Sequence, residues 1–379
     1  MPLAWVLAVV AAPSAAQTAP TPLAWGAYAE AELEAWSNGV PIVDINGNWS
    51  HGYERRSGTQ RAYVMGRAEA GAKLKVDGAD ASRTWRLGLL HRADASARLS
   101  GEAAQVLYHY QSKTDPSEPV TYNADTDILF WQGRGLALHT PSLNWLGLQF
   151  HLGWDVLKLQ RMRSLQSRGQ VGYNADDSYS YLGRVRDDSS RTTEPFMAAP
   201  AHQGLGQAVS VAMQWQRPAG SEAGVEALWW PDRVHVKVDD AWSRLSWSGI
   251  NGDDAVLNSN VMQRTSDGHI EYRAAINGVY TRRTLVERIP VSAQMQLDWT
   301  RAEGVWSWRS RNRLGLWQNW LGWQSLSPWQ WALAVEPFAG AVQVGVSKGG
   351  FKLSVMTDRL DSAAHVRGGQ VSWSWPLGW

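Results

Sequence analysis

Cysteine is absent from this 379-residue chain. That excludes disulfides and thiolate metal sites. Net charge is nearly absent too, since 36 Lys and Arg stand against 35 Asp and Glu. A nucleic-acid binder needs a basic surface to replace counterions on phosphate, and this balance argues against one. No stretch past the first residues approaches the roughly 20 apolar residues of a spanning helix. A membrane protein of this composition has one other way to satisfy its backbone in lipid, which is a closed barrel of strands. Phenylalanine is scarce, at 5 residues, whereas tryptophan is abundant, at 24. Tryptophan is amphipathic and favours the membrane–water boundary. In a soluble protein the same residues would fill a core or line a sugar-binding cleft.

The clearest pattern is at the C-terminus. Val371, Trp373, Trp375, Leu377 and Trp379 alternate with Gln370, Ser372, Ser374, Pro376 and Gly378. Successive side chains of a strand point to opposite sides, so this is a ribbon with one oily and one small or polar face. The same period recurs upstream. In Ala62 to Val76, the row Val64, Gly66, Ala68, Ala70, Ala72 and Leu74 opposes Met65, Arg67, Glu69, Gly71 and Lys73. In Asn144 to Lys158, Leu152, Trp154 and Val156 oppose His151, Gly153 and Asp155. Leu205 to Gln216, Val291 to Trp299, Trp329 to Glu336, Val342 to Ser347 and Phe351 to Met356 repeat it. Ala27 to Ala35 also alternates with Tyr28, Glu30, Glu32 and Glu34, although Ala, Glu and Leu equally suit a helix.

Alternating segments of about ten residues between turn residues are the signature of a transmembrane barrel. Lys348-Gly349-Gly350 and Arg301 to Gly304 read as tight turns. Ser112 to Asp127, Asp187 to Gln203, Gly249 to Asp254 and Asp358 to Arg367 read as longer loops, with short turns expected on one rim and long loops on the other. Several apolar rows end on tryptophan. Trp154, Trp215, Trp299, Trp373, Trp375 and Trp379 are therefore the candidate membrane-interface aromatics.

The final strand, through Val371, Trp373, Trp375, Leu377 and Trp379, resembles the closing strand of Gram-negative outer-membrane β-barrels. Pro376 departs from that pattern, because it removes a ladder donor. The resemblance is to the porin-like superfamily and to no particular family. It implies an outer-membrane location, contact with outer-membrane lipid, and recognition of the C-terminal strand by the barrel assembly machinery. It leaves room for a periplasmic or envelope partner.

At the other end, Leu3 to Ala12 is a short apolar run followed by Pro13, Ser14 and Ala15-Ala16-Gln17. This has the apolar region and small-residue cleavage site of a secretory signal, though no basic residue precedes it. The expected organisation is a signal peptide over 1–16, a short periplasmic spacer over 17–25, and a barrel over 26–379. The fold class is all-β: one closed antiparallel transmembrane barrel of about 16 strands, within a range of 14 to 18.

Chemistry is sparse. The chain holds no H-E-x-x-H zinc motif, and its single histidines show no metal-ligand spacing. No catalytic residue, metal or cofactor is expected. The Ser–His pairs His109 with Ser112 and His139 with Ser142 are close in sequence only. Arginine is the more telling residue. Arg309, Arg311 and Arg313 share one strand face, as do Arg184 and Arg186. Arginine facing lipid at mid-membrane costs roughly 2–4 kcal/mol, so these rows, with Arg67 and Lys73, are candidates to line the lumen. A ring of such residues favours anions. Alternatively they pair with Glu30, Glu32, Glu34, Glu69 and Asp155 and merely fill the interior. Three functions follow. The first is a pore or export channel for polar or anionic solutes or polysaccharide. The second is a non-conducting structural component or adhesin, and the third a lipid- or glycan-modifying enzyme.

Overall fold

The computed structural model describes residues 24–44, 49, 53, 57–75, 84–174, 179–192, 199–200, 203–218, 229–264 and 270–377. Side chains are described for all of these except 24, 260–264, 270–275 and 376–377. The signal peptide, most of the spacer, and Trp379 fall outside the described residues.

The chain is one antiparallel sheet closed on itself. The first strands are β1 (Ala24–Ser37), β2 (Gln60–Lys75), β3 (Thr84–Leu99) and β4 (Val120–His139). After the three-residue β5 (Leu143–Trp145) come β6 (Leu148–Tyr173), β7 (Tyr179–Ser189), β8 (Gln203–Gln216) and β9 (Arg233–Arg264). The second half holds β10 (Ile270–Glu287), β11 (Ser292–Arg301), β12 (Gly304–Arg313) and β13 (Leu316–Gln324). It ends with β14 (Gln330–Glu336), β15 (Ala341–Lys348), β16 (Phe351–Thr357) and β17 (Val366–Leu377). β17 pairs with β1 from Trp25↔Leu377 to Trp36↔Val366, which closes the ring. Strand β1 starts at Ala24, inside the segment expected as spacer, and the helical alternative for Ala27 to Ala35 is not adopted.

The ring contains 14 strands, and β5, β7 and β10 stand outside it. This corrects the expected count of about 16, and the register gives the reason. β6 pairs with β7 through residues 163–173 and with β8 through residues 148–158. β7 and β8 thus form one return strand, interrupted at 190–202. β10 and β11 do the same along β9, interrupted at 288–291. Gly249 to Asp254, expected as a loop, runs inside β9, which is 32 residues long. Short and long connections also mix on both rims. The two-residue turns 302–303 and 349–350 lie on the rim that carries the chain ends, but so does 217–232. The opposite rim carries 38–59 and 100–119, and also the two-residue turn Leu314-Gly315. That turn holds both residues in the left-handed region, at φ 55° and 78°. This matches the right-handed twist of the flanking strands.

The stretch 100–119 contains a helix that the sequence reading did not anticipate, α1 (Gly101–Ser112). Ser100 caps it, accepting from the Ala103 amide at 3.0 Å, and Lys113 ends it in the left-handed conformation. Ala103 and Ala104 bury against Val40, Trp49 and Leu99. Among the described residues no helix is long and apolar enough to cross a membrane.

The two faces of the wall differ sharply. On β1 the odd positions Trp25 and Leu33 are exposed on the outside, while Tyr28 and Glu34 are buried inside. The outward rows continue as Leu74, Trp85, Leu87, Leu89, Leu136, Trp154, Leu321, Leu333, Val344, Val355 and Trp373, all exposed, with Leu89 at 72%. Isolated exposed leucines are ordinary, but a continuous apolar band around a closed ring needs an apolar partner. Replacing Leu333 with arginine tests this. Against lipid, Leu333→Arg lowers stability by about 2–4 kcal/mol, depending on depth. Against water it stays within about 0.5 kcal/mol. Equilibrium refolding into vesicles distinguishes the two.

Candidate functional site within the barrel

Inward-facing side chains from strands far apart in the chain meet in the lumen. β3 sends in Arg92 and Asp94, two residues apart on one face. β9 contributes Asp240, through an irregularity. The register with β8 slips between Val209 and Val211, and Asp240 adopts φ 56°. Asp is one of the few residues that tolerates this conformation. Its amide, displaced from the ladder, donates to Ser210 Oγ at 3.2 Å.

The carboxylate so placed accepts both ends of the Arg92 guanidinium, at 2.7 and 2.6 Å. Arg92 also binds Asp94 at 2.8 Å and lies 3.7 Å from Asp155. Asp155 in turn takes a second fork from Arg67, at 2.6 and 3.1 Å. Arg67 reaches Glu69 at 2.7 Å, and Glu69 is held further by His139 Nε2 at 2.9 Å and by the Tyr28 hydroxyl. Planar forks of this kind are the strongest ion-pair geometry available to a side chain.

A second set crosses from β12, which lies almost opposite β1 and β3 in the ring. Arg311 pairs with Glu34 on β1 and donates to Ser292 Oγ at 2.9 Å. Glu34 also accepts from the Tyr63 hydroxyl, and Gln318 bonds both groups. Arg313 lies 3.4 Å from Asp94 and 5.2 Å from the Tyr63 ring centre. Side chains of this length meet only where the two walls approach each other, so the ring is flattened at this level.

Beside the charges sits an apolar cluster of Leu90, Trp131, Leu157, Leu159, Leu245, Trp247, Ile250 and Ile289. Glu34, Arg313, Gln318 and Trp320 are each only 2% exposed. Nearer the chain-end rim the interior opens. Two adjoining cavities of about 330 and 260 Å³ share Arg309, Trp320, Gln343, Lys352 and Ser354. Arg309 donates to Gln343 at 2.8 Å and sits 5.3 Å from the Trp320 ring centre. Lys352 is exposed.

Of the residues singled out from the sequence, Arg67, Lys73, Arg309, Arg311 and Arg313 point inward, with Lys73 donating to Ser374 Oγ at 2.7 Å. Arg184 and Arg186 lie on β7, outside the ring, where Arg184 is exposed and Arg186 pairs with Asp188 at 2.7 Å. Trp154, Trp373 and Trp375 are exposed on the outer face. Trp215 and Trp299 are half-buried there, and Trp299 donates to the Trp229 carbonyl at 3.1 Å. The Ser–His pairs form differently from the sequence proximities. His139 bonds Glu69, and His109 bonds Gln105 and the Thr114 carbonyl. Ser142 Oγ lies instead 3.0 Å from His151 Nε2, and His151 also bonds the Thr140 backbone. A hydroxyl–imidazole contact needs a substrate cleft and an oxyanion site to act as a nucleophile. Among the described residues no three His, Asp or Glu converge as metal ligands.

Arg92, Asp94 and Asp240 were missed from the sequence. Arg86, Gly88, Leu90, Arg92 and Asp94 do alternate with Trp85, Leu87 and Leu89, and that row was the available signal for the first two. Asp240 carried none, because its position depends on the irregularity in β9.

The chain matches no family model and no curated protein. Among solved structures it is similar to the transport unit of the autotransporter AIDA-I from Escherichia coli. The identity is 7% and the TM-score 0.19, over 97% of this chain and 93% of that one. A BenF-like porin from Pseudomonas fluorescens Pf-5 gives 9% and 0.16, over 93% and 98%. OccAB1 of Acinetobacter baumannii gives 8% and 0.15, over 93% and 96%. Likenesses this faint carry no argument about function. A closed wall, apolar outside and charged inside, is the build of the outer-membrane β-barrels, and no particular family among them is indicated.

The buried forks make a sharp expectation. Arg92→Ala leaves Asp240 buried without its cation and takes from Asp94 the nearer of its two, and costs about 3–5 kcal/mol. Arg163→Ala removes an exposed partner of Asp187 and costs less than about 1 kcal/mol. Urea unfolding in detergent micelles reads both.

Proposed function

We propose that this chain is an outer-membrane barrel that acts as a gated channel for polar, anionic solutes, shut in the conformation described. The observation that carries the reading is the packed layer of Glu34, Tyr63, Arg311, Arg313 and Gln318 across the lumen. It stands above a chamber that stays open toward the chain-end rim. The chamber walls offer amides, hydroxyls, the Trp320 ring, and the cations Lys237, Arg309, Arg311 and Lys352, which outnumber the carboxylates Glu32 and Glu34. Basic linings of this kind favour anions. A plug of ion pairs suits a gate better than a permanent seal, since charged contacts exchange for water and solute more readily than a packed apolar core. The outward band of leucine, valine and tryptophan supports a wall set in lipid, and Trp25, Trp85, Trp154, Trp331 and Trp375 suit the boundary nearest the chain ends. On this reading the raised β-wall of β6, β7, β9 and β10 stands outside the bilayer.

A second reading is a non-conducting envelope component. It is favoured by the apolar cluster around Trp131 and Trp247, which fills the other side of the lumen. Planar-bilayer recording separates the two. The wild-type protein should show little steady current. The double variant Arg311→Ala, Arg313→Ala should conduct in discrete steps. Adding Arg309→Gln and Lys352→Gln should then reduce anion preference. Steady wild-type current would sink the closed layer, and silence in every variant would leave the non-conducting reading.

A further inference from the structure

A sizeable cavity lies outside the lumen, on the outer wall. β1 and β2 present Ala29, Ala31, Gly66, Ala68 and Ala70 outward, where neighbouring strands carry larger groups. The result is a furrow of about 860 Å³, walled by Val371 and Trp373 on one side and by Leu89 and Leu136 on the other. A second hollow of about 430 Å³ continues it past Leu33, Leu353 and Val355.

The furrow ends on a polar row. His91, Arg134 and Lys158 stand side by side on β3, β4 and β6, directly above Leu89, Leu136 and Val156. All three point outward, because Arg92, Gly135 and Leu157 between them point in. Arg134 Nε donates to His91 Nδ1 at 3.3 Å, which makes that nitrogen an acceptor and supplies no negative charge. Among the described residues no carboxylate is ion-paired with Arg134 or Lys158. Cations bordering an apolar band are unfavourable unless an anion meets them. An apolar furrow leading to unneutralised cations has the chemistry of a lipid: acyl chain below, phosphate above.

Resting on the membrane reading above, we infer that this furrow binds one lipid with an anionic phosphate headgroup, its chain along the alanines of β1 and β2 and its phosphate between Arg134 and Lys158.

The test uses the full chain reconstituted into phosphatidylcholine vesicles with or without phosphatidylglycerol, followed by detergent extraction and native mass spectrometry. Wild type should carry one phosphatidylglycerol. Arg134→Gln and Lys158→Gln should each weaken retention about five-fold, and together by more than ten-fold. Ala70→Leu, which fills the furrow, should also weaken it. Arg359→Gln, on a loop of the opposite rim, should leave it unchanged. Each variant's fold is checked by its shift on unheated gels. Equal retention of phosphatidylcholine, or full retention by the charge variants, overturns the site. So does stabilisation by soluble glycerol phosphate equal to that by the lipid, which would mean an anion site without the furrow. A dimer that Ala70→Leu dissolves also overturns it, in favour of a second copy as occupant. Failure to enter either vesicle would instead sink the membrane reading, so the two failures are distinguishable.

Discussion

Arg92 and Asp240 meet in bidentate register inside the barrel, and much of the architecture answers to the charges gathered around them. A ring of strands with an apolar outside must put its polar residues inside. There the effective dielectric is low, and an unpaired charge is costly. Arg67, Arg92 and Arg313 are therefore shared among Glu69, Asp155, Asp94 and Asp240, each bridging strands that do not adjoin. The arrangement fixes more than charge balance. It needs β9 to depart from regular geometry at Asp240, and it draws opposite walls together. At this level Glu34 and Gln318 are buried, each only 2% exposed.

This pairing also relates the lumen to the outer face. Alternation is unbroken along β2 and β3, so each inward charge there fixes an outward neighbour. Arg67 and Glu69 on β2 are separated by Ala68, and Arg92 on β3 is preceded by His91. The interior network and the exterior furrow are thus two readings of the same strands. The small outward residues follow no packing need of the lumen, which is why the furrow calls for an occupant of its own.

Much of the wall was legible from period-two alternation alone. β2, β8, β11, β14, β15, β16 and β17 fall close to the segments that alternation marked. The failures have physical causes. Gly249 to Asp254 is rich in turn residues, yet it is held as strand by pairing with β7 and β10 on either side. Tertiary pairing overrode local propensity there. Asn144 was placed inside a long strand, but Leu146-Gly147 turns sharply, with both residues at positive φ. α1 was overlooked because a single helix in a β-rich chain leaves no mark on a search for alternation. Within the lumen, residue type and face could be read, but the identity of each partner could not. Arg313 finds Asp94 across the ring, 219 positions away, and no local pattern encodes that distance.

The closing pair, β1 with β17, joins the first described strand to the last. Hairpins such as β11–β12, linked by two residues, lose little chain entropy on zipping and belong to the earliest events of assembly. The seam has the highest contact order in the molecule, so it completes last. Until it does, β1 and β17 present long unsatisfied edges, the template for mispairing with another chain. Assembly is therefore most vulnerable at its final step, because those two edges stay open to pairing with another chain until they find each other.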